Sequence, residues 1–340
     1  MQSPRVYEQL SDREKVTIIG ALSIFVLIIW IVNSIPDTPT PVQHYVVSSE
    51  TPKFQEIWSL NNIYYPGGSM LLTATGNDVF FLGRSDQYKR LYSIIQLDLM
   101  TGQVKRTIKV SRDVQTIASD DQFIYVGIRS DGKILRDDLD GAAQVVAYDL
   151  VSGTQVWSER FRGARSIASI TPQGRRIFVT TPDAMNEYHY LDVSTGRIVS
   201  SSNEYDSAIN NQQTKWWLEI AIQPTFPPLL NDGVYVGQTG LVGIVYGFEP
   251  ENRNLLWQSE DITYSNVTVS DGMAFFLTEY AELVALNVHN GQVVGQIQLL
   301  PDVAQDQLPQ HYPYNVAASG NVVVVYMGDS FQLFAFRFLP

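Results

Sequence analysis

The sequence contains no cysteine at all. Disulfides, thiolate metal sites and cysteine nucleophiles are therefore excluded together. The absence suits a domain placed in a variable redox setting outside the cytoplasm. Charge is sparse as well, at 17% of residues, and basic charge is the scarcer sign: 23 Lys and Arg stand against 35 Asp and Glu, a formal net charge of −12. A chain of this balance has no basic stripe to follow a phosphate backbone, so no nucleic-acid partner is expected. The same acidity argues against docking of the globular part on anionic lipid and favours basic or neutral partners. Missing too are a glycine-rich phosphate loop, a G-x-S-x-G elbow and any kinase or HExxH signature. The four histidines are scattered, with His44 in a linker and His189 (near Asp183 and Glu187), His289 and His311 in separate repeats, none at metal-ligand spacing.

What is present begins with one hydrophobic run. Residues 16–35 carry no charge, and twenty helical residues span roughly 30 Å, the thickness of a bilayer core. The run exceeds the roughly 7–15 apolar residues of a signal peptide and no small-x-small site follows it, so an uncleaved anchor is expected. Trp30 suits the interface. Arg5, Arg13 and Lys15 precede the run and no basic residue follows until Lys53. The positive-inside rule then makes 1–15 a cytoplasmic stub and puts everything after residue 35 in the periplasm or outside the cell. Residues 36–52 hold four prolines and read as a semi-extended tether. The globular domain is assigned to 53–340.

That domain is repetitive. The stretch 142–161, AAQVVAYDLVSGTQVWSERF, returns in altered form at 93–110, 188–202, 245–261 and 283–299. Each copy follows a second phrase, a polar turn plus an apolar strand: 77–83, 121–127, 174–180, 232–237, 271–277 and, near the end, 320–327. A recurrence every roughly 40–55 residues with four short strands per unit predicts a β-propeller. The expected blades are 69–110, 115–161, 166–203, 217–260, 265–299, and a sixth made of 314–338 completed by 53–60. Pairing the first strand with the last leaves the ring no open edge. Asp232–Gly233, Asp271–Gly272 and Gly320–Asn321 should supply the positive φ of tight hairpins, as should the glycines at 102, 153, 196 and 291 in the outer hairpins. Residues 204–230 are poorly patterned and leave room for a seventh blade.

The phrases AYDLVSGTQVW (147–157), ALNVHNGQVVG (285–295) and QLDLMTGQVKR (96–106) resemble the blade repeat of the pyrroloquinoline-quinone-like propeller family, over about 53–338. The spacing from Gly to Trp is kept in full only by Gly153 and Trp157. Trp58 and Trp257 hold the matching strand position without the Gly, while Arg106, Ser200 and Gly295 replace the Trp. In the family that Trp packs between blades, so the resemblance implies only partial packing here. Its enzymatic members are longer, eight-bladed, bind the quinone with Ca²⁺ and carry a vicinal cysteine pair that this chain lacks. Its non-enzymatic members, such as the lipoprotein propeller of outer-membrane assembly, serve as interaction scaffolds. No cofactor or catalytic residue of the enzymes maps onto this chain, and no cofactor is expected.

Local candidates for chemistry are few. In SDGKILRDDLDG (130–141) Asp138 and Asp140 with Gly141 echo half of a Ca²⁺ loop, but Arg136 takes the first ligand position and no Glu closes it. Ser130 and Lys133 have Ser-x-x-Lys spacing across an Asp-Gly pair that favours a turn over the helix the chemistry needs. Asn266–Thr268 forms a glycosylation triplet on an inner strand. The least repeat-like segment carries Trp216, Trp217 and Phe226 among prolines, residue types suited to a partner-binding lip. The expectation is an all-β propeller of about six four-stranded antiparallel blades behind a transmembrane helix. It is read as a non-catalytic scaffold or accessory subunit for other envelope or membrane proteins. The alternative is a ligand-binding or quinone- and Ca²⁺-dependent enzyme or sensor using the central channel.

Overall fold

The computed structural model describes residues 53–61, 71–84, 92–110, 113–130, 142–182, 188–202, 229–238, 243–249, 254–299, 314–327 and 332–339. All lie in one compact unit, Val47–Pro340. The helix expected at 16–35, the tether and the stub fall outside the described residues, among which no helix is long and apolar enough to cross a membrane.

Among the described residues, six four-stranded antiparallel sheets account for every strand. Blade 1 is β2 (Leu72–Thr75), β3 (Asp78–Arg84), β4 (Tyr92–Asp98) and β5 (Val104–Lys109). Blade 2 is β6 (Val114–Ser119), β7 (Phe123–Ile128), β8 (Ala143–Asp149) and β9 (Gln155–Phe161). Blade 3 is β10 (Ser169–Gln173), β11 (Arg176–Thr180), β12 (Tyr188–Asp192) and β13 (Ile198–Ser202). Blade 4 is β14 (Leu229–Asn231), β15 (Val234–Gln238), β16 (Val245–Phe248) and β17 (Leu255–Gln258). Blade 5 is β18 (Thr268–Ser270), β19 (Met273–Leu277), β20 (Glu282–Asn287) and β21 (Val293–Gln298). Blade 6 takes β22 (Asn315–Ser319), β23 (Val322–Met327) and β24 (Gln332–Phe338) from the C-terminus and β1 (Phe54–Leu60) from the start of the domain.

Within blades 1 to 5 the strands run from inner to outer edge in chain order, and in blade 6 the first strand of the domain, β1, supplies the outer edge. The closure has a definite register: Phe54 lies opposite Phe338, Trp58 opposite Ala335 and Leu60 opposite Leu333. The described strands fall within the expected blades. In blade 4 the first described strand is Leu229–Asn231, which pairs with Val234–Val236, and the expected start at residue 217 lies outside the described residues.

The turns follow from their residues. Between β14 and β15, and between β18 and β19, both central residues have positive φ (Asp232 47°, Gly233 76°; Asp271 49°, Gly272 74°). This is the mirror-image turn whose twist matches the flanking strands. Between β22 and β23 only Gly320 is positive, so Asn321 does not share the expected role. The middle strands are buried on both faces, as β23 shows with six buried residues in succession, because each blade is packed between two others.

Those two faces give each blade two cores. Ile117, Ile124 and Val126 of blade 2 join Phe80, Leu82 and Ile94 of blade 1. Its opposite face sends Tyr125, Val145 and Trp157 to Ile170, Ile177 and Leu191 of blade 3. Equivalent cores join blades 4 and 5, 5 and 6, and 6 and 1. Each fully buried Leu, Ile or Phe in them stabilises the ring by about 1.5–3 kcal/mol. The junction of blades 3 and 4 differs. Its described residues form two separate small clusters, Phe178 with Tyr188 and Tyr190 on one side and Phe248 with Tyr235 and Tyr246 on the other.

Candidate interaction surface

The outer hairpins explain why the repeat needs an acidic residue followed by Gly. Asp98 Oδ1 accepts the N–H groups of Met100 and Thr101 at 3.1 and 2.9 Å. The loop then closes as Gly102 N–H donates to Asp98 O at 2.9 Å. Asp149 caps Ser152 in the same way, Asp192 caps Ser194 and Thr195, and Asn287 caps His289. Bonding to the ionised form holds these carboxyls below the usual range. The main cause is Lys105 for Asp98, the Ser152 backbone for Asp149 and the Ser194 hydroxyl for Asp192.

Each of these turns receives a side chain from the preceding blade. Trp157 Nε1–H of blade 2 donates to Val193 O of blade 3 at 2.9 Å, and its ring lies so close to Gly196 that a Cβ there would overlap it. Trp257 of blade 4 donates to Val288 O of blade 5 at 2.7 Å beneath Gly291. Trp58 of blade 6 donates to Leu99 O of blade 1 at 2.9 Å beneath Gly102. The glycine is thus required twice, for its positive φ and for the ring pressed against it.

Arg106 corrects the expectation of partial packing. It occupies the Trp position of blade 1, with Nη1 donating to Val151 O at 2.8 Å and Nη2 to Leu150 O at 2.7 Å, and it lies under Gly153. A planar guanidinium does the work of an indole: a flat face for the glycine and an N–H for the carbonyl. Sequence reasoning placed Arg106 correctly and misjudged its role, because an arginine there reads as a lost Trp. Two blades depart. Gly295 of blade 5 lies against Lys53, Phe54 and Phe338, where the closing strands replace a hairpin and Phe54, Phe275 and Phe338 pack edge to face. Ser200 of blade 3 precedes a blade whose loop, Glu249 to Asn254, has no glycine.

Polar clamps add to the junctions. Gln115 Oε1 accepts from Ile167 N–H at 2.9 Å, and Gln238 Oε1 from Val267 N–H at 2.6 Å. The Asn266 amide makes both bonds of a strand pair with Val316, at 2.7 and 3.0 Å. Asn266 is buried and committed to these bonds, which removes it as a glycan acceptor in the folded ring.

The remaining candidates divide between core and surface. His189 is buried between the hydroxyls of Thr181 and Ser201 at 2.9 and 2.8 Å and against the Phe161 ring, a core role. His289 is exposed, 2.8 Å from Asp232 Oδ2 of the neighbouring blade. Asp138, Asp140, Lys133, Asp183, Glu187, His44 and His311 lie outside the described residues, as do Trp216, Trp217 and Phe226. Among the described residues no group of three or more His, Asp or Glu is placed to hold a metal. What the ring presents instead is its rim. Val104, Val156, Ile198, Val199, Leu255 and Leu256 are exposed on outer strands, and among these described residues two fall together on blades 3 and 4.

Residues 105–242 match the family described as PQQ_2, outer membrane protein assembly factor BamB. Among solved structures the chain is similar to BamB from Moraxella catarrhalis, at 14% identity and a TM-score of 0.44, covering 84% of this chain and 98% of that one. It is also similar to the Cps50 (Swd1) β-propeller domain of Myceliophteria thermophila, at 11% identity and a TM-score of 0.49, covering 81% and 98%. A third is the computationally designed Ika8 protein, at 13% and 0.42, covering 83% and 99%. No curated protein gives a significant sequence match. The matched segment runs from the outer strand of blade 1 into blade 4 and contains the Asp149–Gly153–Trp157 repeat unit with its partner turn at Gly196, so this part of the chain carries repeats of the PQQ-like β-propeller kind.

Proposed function

We propose that this chain is a non-catalytic scaffold or accessory subunit of a cell-envelope assembly, held to the membrane by residues 16–35 with its propeller on the extracytoplasmic side. The observation that carries this reading is the match of residues 105–242 to a family described as an outer-membrane assembly factor. The physics of the ring agrees with it. A propeller whose first and last strands pair and whose blades share cores at five junctions presents its loops with little ordering cost when a partner binds. The partner is another envelope or membrane protein. Its contact is the rim of blades 3 and 4 with the Pro-rich connector between them, where Trp216, Trp217 and Phe226 offer aromatic anchors.

The test is extraction of the tagged full-length chain in mild detergent and identification of what co-purifies. A defined envelope protein lost on Phe226→Ala supports the reading, and full-length chain purifying alone from its native membrane contradicts it. Titration with pyrroloquinoline quinone and Ca²⁺ should leave the melting temperature unchanged. A saturable rise would establish the ligand-binding alternative, since stabilisation reports occupancy.

A further inference from the structure

We infer that Ser201 is a reactive hydroxyl, an acceptor of acyl groups from esters with a good leaving group, with His189 as its base and Thr181 as the residue that positions the imidazole. This goes beyond the scaffold reading and does not rest on it, since it concerns a covalent modification of the ring itself.

The register of blade 3 brings the three residues together. His189 on β12 lies between Val179 of β11 and Ser201 of β13, and directly opposed residues share a face of the sheet. Thr181, just past the end of β11, reaches the same face. A row of polar atoms results: Thr181 Oγ1 is 2.9 Å from His189 Nε2, and Ser201 Oγ is 2.8 Å from His189 Nδ1. The face is turned to blade 2, whose Phe161 ring lies 4.8 Å from the imidazole, centroid to centroid. With a ring against its plane and a hydroxyl on each nitrogen, the imidazole is held in one orientation. Accessibility grades along the row. Thr181 is 0% and His189 5% accessible, whereas Ser201, on the outer strand of its blade, is exposed. Core packing accounts for the buried histidine. It gives no reason for one of its two partners to be a solvent-facing serine, which water alone would satisfy.

The chemistry follows from the donors and acceptors. A neutral imidazole donates from one nitrogen and accepts at the other. With the proton on Nε2 donated to Thr181 Oγ1, Nδ1 accepts from the Ser201 hydroxyl. Nucleophile, base and orienting group then stand in the relation that activates a hydroxyl. The reverse tautomer, with Nδ1–H donating to Ser201, would leave the hydroxyl inert, so the inference requires the first. In the step itself Ser201 Oγ adds to the ester carbonyl carbon as its proton passes to Nδ1. The carbonyl re-forms, the bond to the leaving oxygen breaks with its electron pair, and the imidazolium gives its proton to that oxygen. The products are O-acyl Ser201 and the free alcohol, with His189 neutral again. General-base assistance of this kind is worth about 10²–10⁴-fold in rate.

The test is acetylation of the full-length chain, in mild detergent, by p-nitrophenyl acetate, quenched in acid and mapped by peptide mass spectrometry. Ser158, exposed on the outer strand of blade 2, is the internal reference. Ser201 is expected to be acetylated at least about 100-fold faster than Ser158. The difference should vanish in His189→Gln, whose side chain still forms hydrogen bonds but takes no proton. Thr181→Val keeps the shape of the buried side chain without its hydroxyl, and should bring Ser201 down toward the rate of Ser158, while Thr181→Ser should restore it. Loss of packing alone would not give that pattern. Circular dichroism melting shows which variants fold, and if His189→Gln does not, the two Thr181 variants carry the test. Equal acetylation of Ser201 and Ser158 in the parent chain overturns the inference, as does fast labelling of Ser201 that survives His189→Gln or Thr181→Val. Each of these results leaves the scaffold reading untouched.

Discussion

The junction of blades 2 and 3 and the junction of blades 3 and 4 use the same backbone plan and different means of cohesion. At the first, one core runs across the gap from Tyr125 and Trp157 to Ile177 and Leu191, and an indole is hydrogen-bonded and pressed against Gly196. At the second, Ser200 replaces the indole and the aromatic residues gather on each side separately. The bulge that sets this position recurs in both outer strands, so the difference lies in side chains and not in strand geometry. The ring keeps the same backbone plan at a junction where Ser200 stands in place of the indole.

Perturbations that break or sharpen this contrast can be ranked by size. The largest is removal of the closing strand. Replacing residues 53–60 by a Gly/Ser segment strips Phe54 from its cluster of rings and leaves β24 an unpaired edge. The expected outcome is loss of cooperative thermal unfolding, read by circular dichroism. Next is Trp157→Ala, which should cost about 3–5 kcal/mol in chemical denaturation and increase hydrogen exchange at the junction of blades 2 and 3. Arg106→Ala should cost about 1–3 kcal/mol, because it leaves two backbone carbonyls and Gln96 without a donor. Arg106→Trp should recover part of that loss if a flat donor is what the position requires.

Smaller effects test the turns. Gly163 has φ 76° and nothing within 4 Å of an added Cβ, so Gly163→Ala should cost only the conformational strain, about 1–2 kcal/mol. The carboxyls of Asp98, Asp149 and Asp192 are held below their usual range. Their stabilisation is present above the unfolded value of about 4 and is lost as pH falls through the folded value. Burial acts oppositely on Glu159 and Asp261, whose carboxyls it raises, so acid relieves a cost there. Urea midpoints should fall below about pH 4, and Asp98→Asn with Asp192→Asn should flatten that fall.

Much of this architecture was legible in the sequence because the repeat imposes it. The apolar run of β23, the Asp-Gly turns at 232 and 271, and the match of FQEIWSL to other outer strands were enough to locate six blades and their closure. The partner of each glycine was not legible. Gly196 and Trp157 are joined only once blade 3 is folded against blade 2, and nothing local to either residue announces the other. Arg106 was hidden for a related reason, since its guanidinium substitutes for an indole through shape and donor geometry that residue identity conceals. Residues 217–228, read into blade 4 because they are as apolar as a strand, lie outside the described residues. The docking residues proposed from composition, Trp216, Trp217 and Phe226, have no periodic neighbours to fix their register.

The claim on which the account depends is that an outer-strand side chain and the next blade's glycine form one energetic unit. A double-mutant cycle on Trp157→Ala and Gly196→Ala tests it most directly. The account predicts that Gly196→Ala is severely destabilising with the indole present, where the added Cβ meets the ring, and falls to the strain cost of about 1–2 kcal/mol once Trp157 is truncated. Strictly additive losses in the double variant would contradict it.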